Sequence, residues 1–114
     1  MIDPDDPPRW WTVDEANDAL PRVSDAVERA KGVLAGMSGN GHRTASTFEE
    51  VVAELEADGI VLRDLARGLI DFPARGPDGR GYWLCWLVGE PEVAWWHWPE
   101  DGFAGRRPLT EPRA

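Results

Sequence analysis

The eighteen residues "YWLCWLVGEPEVAWWHWP", positions 82–99, constrain the fold of this 114-residue chain more than any other segment. They include five of the seven tryptophans, the only cysteine and one of the two histidines. Two runs rich in aromatic and β-branched residues flank the tripeptide GEP at positions 89–91, and this pattern predicts a β-hairpin with a three-residue loop. The hairpin should supply much of the core, because each tryptophan buries a large area.

Both faces of the predicted hairpin are apolar. On one face, the register pairs Leu87 with Val93, Cys85 with Trp95 and Trp83 with His97. A sheet that is apolar on both faces needs a cover on each of them. Helices can cover one face, and the other needs a partner subunit, the C-terminal tail or a ligand.

The N-terminal third of the chain predicts a long amphipathic helix. Thr12 and Glu15 form a capping box, in which each side chain accepts a hydrogen bond from the backbone N–H of the other residue. Apolar residues then recur at steps of three and four, as on one face of a helix: Val13, Ala16, Leu20, Val23, Val27, Ala30, Leu34 and Met37. Pro21 has no N–H to donate, so a kink or a break is expected near residues 19–21.

A second helix is expected after a loop. Glycine, asparagine and serine in segment 38–46 predict the loop, since these residues tolerate turn conformations. A capping box at Thr47 and Glu50, or one residue earlier, predicts an antiparallel neighbouring helix that ends at Gly59.

The apolar period changes from near 3.6 to near two beyond Gly59, which predicts strands. The candidate strands are residues 60–65, 69–74, 82–88 and 92–98. The predicted fold class is therefore α+β: an antiparallel helical hairpin packed on a small antiparallel β-meander of three to four strands.

One domain fits a chain of this length. Residues 1–9, with three prolines and three aspartates, are expected to form a disordered N-terminal lead. Residues 10–109 are expected to form the single α+β domain and residues 110–114 a C-terminal tail, and the chain from residue 99 onward is expected to run over the surface.

Charge and cysteine content exclude several classes of function. The net charge of −9 argues against nucleic-acid binding, which needs a basic surface to neutralise phosphates. No apolar run approaches the roughly 20 residues that span a bilayer. An N-terminus without a signal-peptide pattern and a single thiol, which cannot form an internal disulfide, predict a cytoplasmic protein.

Five polar residues near the hairpin are the candidate site, because a buried charge or imidazole must be paired. They are Asp64, Asp71, Glu90, His97 and Arg106. One interpretation is a structural network in which His97 bonds a carboxylate or a carbonyl and Arg106 binds Asp71 or Glu90. The other is a metal site with Cys85, His97 and Asp71 as ligands, although no CxxC or HExxH motif supports it. No cofactor is predicted, and a divalent metal is the alternative.

Three segments resemble the bacterial family catalogued as domain of unknown function 2203. They are "WTVDEANDALPRV", "GIVLRDLARGLIDFPA" and "YWLCWLVGEPEVAWWHWPEDGFAGRRPL", and the order of "LCW", "GE", "WH" and "GFAGR" makes the match specific. The resemblance implies a small bacterial cytoplasmic protein, and it brings no established activity. The five candidate residues lie in the family's signature segments.

Two hypotheses about function follow. The leading one is a non-enzymatic module that self-associates, as a homodimer, or binds a small ligand, because the hairpin has a second apolar face and no catalytic motif is present. The alternative is a metal-dependent or acid-base enzyme centred on His97 with Asp71 or Glu90.

Overall fold

The computed structural model describes residues 6–35 and 49–110. Helix α1 spans Val13–Ala35, and helix α2 is described over residues 49–57. The strands are β1 Val61–Asp64, β2 Leu69–Arg75, β3 Gly81–Leu87, β4 Trp95–His97 and β5 Arg107–Pro108, with a short 3₁₀ helix at Phe103–Gly105. The sheet is antiparallel with the order β1-β2-β3-β4-β5. The α+β class is confirmed, whereas the count of three to four strands is wrong because the sheet has five strands within the described residues.

Helix α1 begins at the predicted capping box. The Thr12 N–H donates to Glu15 Oε1 at 3.0 Å, and the Glu15 N–H donates to Thr12 Oγ1 at 3.1 Å. The helix then continues through Pro21, so of the predicted kink or break the break does not occur. The side chain of Pro21 is exposed, and the apolar residues on both sides of it remain in the core, which outweighs the loss of one internal hydrogen bond.

The main core lies between α1 and one face of the sheet. The predicted apolar stripe of α1 is buried there at Ala16, Leu20, Val23, Val27 and Ala30, while the side chains of Leu34 and Met37 lie outside the described residues. The sheet contributes Ile70, Phe72, Leu84, Trp86 and Trp96 to the same cluster. Most of the hairpin's aromatic residues on this face are therefore core.

Helix α2 adds Val51 and Leu55 to the core and ends as predicted at Gly59. The N–H of Ile60 donates to Leu55 O, and that of Gly59 donates to Glu56 O, both at 2.9 Å. This is a Schellman motif, which needs the positive φ of 80° that Gly59 adopts. The loop predicted at 38–46 and the capping box at Thr47 lie outside the described residues.

The predicted hairpin register is confirmed where β4 exists. Trp83 pairs with His97, and Cys85 pairs with Trp95. Leu87 and Val93 do not pair, because the N–H of Val93 donates instead to Asn17 Oδ1 on α1 at 2.7 Å. Strand β4 therefore begins at Trp95, so the connection from β3 covers residues 88–94 and the predicted three-residue loop is wrong.

The chain beyond residue 99 does more than run over the surface. Strand β5 pairs with β4, and the N–H of Leu109 donates to Ala94 O at 2.9 Å. Two residues are too few to show a period of two, so the sequence pattern misses this strand. No helix in the described ranges is long and apolar enough to cross a bilayer.

The second face of the sheet, opposite the helices, is covered by the chain itself. The second face is the side of the sheet that carries five buried residues: Leu69, Asp71, Trp83, Cys85 and His97. Segment 98–106, between β4 and β5, returns beside it, so that Pro99 and Gly102 lie next to Asp71 and His97. The sequence left three possible covers for this face: a partner subunit, the C-terminal tail or a ligand. In the structure, a C-terminal segment of the same chain lies there.

Candidate functional site

Three strands bring Asp71, Cys85 and His97 together on the second face. Asp71 on β2 pairs with Cys85 on β3, while His97 on β4 pairs with Trp83 one row away. Because β3 separates β2 from β4 by about 9–10 Å across the sheet, the side chains of Asp71 and His97 must reach towards each other over β3. One nitrogen, oxygen or sulfur atom from each residue lies within 4.8 Å of the other two. We call this group the Asp71–Cys85–His97 cluster.

Both ring nitrogens of His97 have partners. Nδ1 lies 2.8 Å from Trp98 O, and Nε2 lies 2.9 Å from Asp71 Oδ2. A carbonyl can only accept, so Nδ1 carries a proton, and Nε2 faces an oxygen of the Asp71 carboxyl group. Burial lowers the pKa of the His97 imidazole, but the hydrogen bond to Asp71 and the charge of its carboxylate raise that pKa by more. The cluster therefore favours the imidazolium form of His97 more than water does.

Arg63 is the second cation on the same carboxylate. Its Nε donates to Asp71 Oδ2 at 2.9 Å, and its Cζ lies 4.8 Å from the ring centroid of Trp83. The side chain of Arg63 is 41% exposed, whereas that of Asp71 is 2% exposed. The guanidinium thus connects a buried carboxylate to solvent.

The two oxygens of Asp71 are used unequally. Oδ2 accepts from both Arg63 and His97. Oδ1 is buried, and no residue in the described part of the chain forms a hydrogen bond with it. A buried acceptor without a partner costs about 1–3 kcal/mol, so this oxygen is the atom of the cluster that most needs a ligand.

Cys85 is fully buried beside this carboxylate. Burial raises the pKa of its thiol to about 12, and the negative charge of Asp71 adds to the effect. The residue is therefore a thiol at neutral pH rather than a thiolate nucleophile. Its small side chain also leaves the space over β3 in which Asp71 and His97 meet.

A pocket of about 190 Å³ opens next to the cluster. It is lined by Arg63, Leu69, Asp71, His97, Pro99 and Gly102. At roughly 30 Å³ per water molecule, this volume corresponds to about six waters. The pocket can therefore admit a small molecule of a few heavy atoms.

Glu90 and Arg106 form a separate pair at the edge of the second face. Arg106 Nη2 donates to Glu90 Oε1 at 2.8 Å and approaches Cys85 O at 3.5 Å. The same Glu90 oxygen accepts the N–H of Leu87 at 2.8 Å. The pair ties the loop after β3 to the end of segment 98–106, which is a structural role.

Asp64 does not join either group. Its Oδ1 accepts the N–H of Arg67 at 3.1 Å, and its side chain is 39% exposed. It stabilises the turn between β1 and β2. Of the five candidate residues, the structure thus brings Asp71 and His97 together, pairs Glu90 with Arg106 beside them, and leaves Asp64 in a turn.

Arg63 is the site residue that sequence reasoning missed. The register of β1 against β2 shifts between Leu62 and Asp64, so Arg63 is the extra residue of an irregular pairing. A strict alternation along "IVLRDL" cannot show where its side chain goes. The only available signal is a single basic residue inside an apolar run.

The comparison with protein families identifies the group to which the chain belongs. A family model described as "Uncharacterized conserved protein (DUF2203)" matches residues 34–109, a range that contains the cluster, Arg63, Glu90 and Arg106. The N-terminal segment "WTVDEANDALPRV" precedes this range. No curated protein and no solved structure matches the chain. Because the matched range covers more than half of its residues, the chain belongs to the DUF2203 family of uncharacterized conserved proteins.

Proposed function

We propose that this protein binds one divalent metal ion of the zinc class at the Asp71–Cys85–His97 cluster. The observation that carries the proposal is the convergence of a sulfur, an imidazole nitrogen and a carboxylate oxygen within 4.8 Å, all on buried side chains. These are the ligand types that zinc takes in proteins. A three-residue set of this kind occurs in sites that keep one coordination position open.

The orientation of His97 supports this assignment. Its Nδ1–H donates to the carbonyl of Trp98, while Nε2 is directed at Asp71. Metal-binding histidines commonly donate the N–H of one nitrogen to a carbonyl or carboxylate, which fixes the ring and leaves the other nitrogen for the metal. The backbone at Trp98, directly after β4, thus already provides the outer contact that metal-binding histidines commonly have.

A metal would require the ligand atoms to move, because atoms up to 4.8 Å apart would have to approach by about 1.2 Å to reach the spacing of a tetrahedral site. Metal bonds of about 2.0–2.3 Å in a tetrahedral site separate the ligand atoms by about 3.3–3.6 Å. Asp71 Oδ2 and His97 Nε2 are 2.9 Å apart, so they would have to separate by roughly 0.5 Å. Alternatively, the unpartnered Oδ1 could bind the metal while Oδ2 keeps its hydrogen bond with Arg63.

Metal binding would also displace protons. The Cys85 thiol, whose pKa burial raises to about 12, would bind as a thiolate, and His97 would lose the proton of Nε2. The two protons that leave carry two positive charges, and the divalent metal replaces both of them. The buried cluster therefore does not gain a large uncompensated charge on binding.

Acid-base catalysis by His97 has less support. A histidine that is oriented by a carboxylate through one nitrogen needs the other nitrogen free for substrate. Here the other nitrogen is bonded to a backbone carbonyl. Glu90 is likewise engaged by Arg106 and by the N–H of Leu87. The metal site is therefore the hypothesis that the contacts favour.

A metal competition assay tests the proposal. Protein purified without affinity tag or chelator, then made metal-free, is titrated with zinc against a chromophoric chelator. We expect one zinc per chain, and a loss of affinity of at least about 100-fold in Asp71→Asn and His97→Gln, which exceeds what most outer-shell changes cost. The matched control is Asp64→Asn, a carboxylate outside the cluster, which should bind like wild type. Equal affinity in all four proteins would contradict the proposal.

Self-association and a cytoplasmic location are two further proposals, which rest on the sequence and not on the cluster. The homodimer rests on the apolar sequence pattern alone, because the second face is already buried within the chain, and the unbridged thiol predicts a reducing compartment. Segment 98–106 reduces the need for a partner at that face. Light scattering of gel-filtered protein checks the dimer: a mass of twice 12.7 kDa supports it, and a mass of 12.7 kDa at all concentrations contradicts it.

A further inference from the structure

The pocket beside the cluster shows which side of a bound metal would be open. Asp71 and His97 line it, but Cys85 does not. The thiol is therefore on the buried side of the cluster, and the two other ligands border the cavity. A fourth coordination position, which three-ligand zinc sites keep for water or substrate, would face the pocket.

The charges around that position favour the binding of an anion. A divalent ion is balanced by the carboxylate of Asp71 and the thiolate of Cys85, so the positive charge of Arg63 remains. The nearby Glu90 and Arg106 balance each other at 2.8 Å. One monoanion in the pocket would make the whole group neutral, which favours its binding at a partly buried position.

Arg63 has donors to offer such an anion. Its Nε is engaged with Asp71, and no acceptor in residues 6–35 or 49–110 is bonded to its two terminal nitrogens. The guanidinium lies over the ring of Trp83, which limits the orientations of its plane. A planar guanidinium donates well to carboxylate oxygens.

We infer that the pocket binds a small monocarboxylate, with one oxygen on the metal and the other hydrogen-bonded to Arg63. This inference rests on the proposed metal site. The pocket volume of about 190 Å³ suits a molecule the size of acetate or propionate. Leu69 and Pro99 provide an apolar wall for the alkyl group, a contact that a purely inorganic anion would not use.

The test uses the full chain loaded with cobalt(II). The absorption of cobalt reports both metal binding at the cluster and carboxylate binding in the pocket. Charge-transfer absorption from thiolate to cobalt shows that the metal site exists. Acetate is then added, and the ligand-field bands of cobalt are followed. We expect a saturable spectral change with acetate and none with acetamide, which has nearly the same shape but no charge.

Two variants separate a specific role of Arg63 from general electrostatics. Arg63→Gln should weaken acetate binding by about 10- to 100-fold, the range expected for hydrogen bonds to a charged group. Arg67→Gln removes an equal charge from the adjacent turn, where Arg67 is 62% exposed, and should leave acetate binding unchanged. Circular dichroism verifies that both variants are folded.

The outcomes distinguish this inference from the metal site itself. If the thiolate band forms but acetate and acetamide act alike, the carboxylate inference is wrong and the metal site stands. Equal acetate affinity in Arg63→Gln and wild type also overturns it. If no thiolate band forms, the metal site is wrong, and the inference falls with it. The comparison of acetate with acetamide needs only the wild-type protein. It therefore tests the carboxylate inference even if Arg63→Gln does not fold.

Discussion

Asp71→Ala should destabilise the metal-free protein by about 3–5 kcal/mol, the cost of removing one partner of a buried ion pair. Asp71 is 1% exposed, and it is the acceptor for both Arg63 and His97. Arg63 can turn to solvent because it is 41% exposed, so its loss contributes little. Most of the effect should come from His97, which is 3% exposed and would lose its carboxylate. Urea unfolding of the metal-free protein measures the difference.

The same substitution should have a characteristic pH dependence. The pKa of His97 is raised in the folded protein, so the stability that its charged form contributes is fully present below the ordinary histidine pKa. That contribution is lost as the pH rises through the raised folded value. The difference between wild type and Asp71→Ala should therefore be largest on the acidic side and shrink above the raised value, where a neutral His97 no longer needs its carboxylate.

Two further variants define what would contradict this prediction. Replacing both partners, in Asp71→Leu with His97→Leu, should recover much of the lost stability, because no unpaired charge is left buried. Asp64→Ala, which removes an exposed carboxylate, should stay within about 0.5 kcal/mol of wild type. If Asp71→Ala costs no more than Asp64→Ala, or costs the same at every pH, the ion pair does not stabilise the fold.

Local patterns predicted those parts of the fold that local interactions determine. The capping box at Thr12 and Glu15 set the start of α1, and Gly59 set the end of α2, because both depend on residues a few positions apart. The register that joins Trp83 to His97 followed from the predicted hairpin, although the connection between β3 and β4 is longer than the loop that was predicted. At the two helix ends, a few neighbouring residues contain the information that the structure uses.

Features that depend on distant contacts could not be predicted in this way. Val93 leaves the hairpin because Asn17, 76 positions earlier, accepts its N–H. The meeting of Asp71 and His97 depends on two strands that are not neighbours in the sheet. The sequence left either Asp71 or Glu90 as the acidic partner of His97, and the structure shows that the partner is Asp71.

Zinc should stabilise the wild-type protein strongly if the cluster is a metal site. Free zinc at 100 times its dissociation constant adds about 2.7 kcal/mol of stability when only the folded state binds. For a domain of this size, about 4 °C per kcal/mol gives a rise in Tm of about 10 °C. Thermal unfolding followed by tryptophan fluorescence, with and without zinc, measures the shift.

Cys85 decides between the metal site and a purely structural cluster. As a small buried residue in an apolar strand, Cys85 can be replaced by Ala with the fold retained, and the Asp71 to His97 hydrogen bond does not require its sulfur. Cys85→Ala should therefore remain folded but lose most of the rise in Tm with zinc, because the thiolate supplies one of only three ligands. A full shift in Cys85→Ala would show that zinc binds elsewhere. No shift in wild type would mean that the cluster is a buried ion pair beside a packing cysteine, with no metal role.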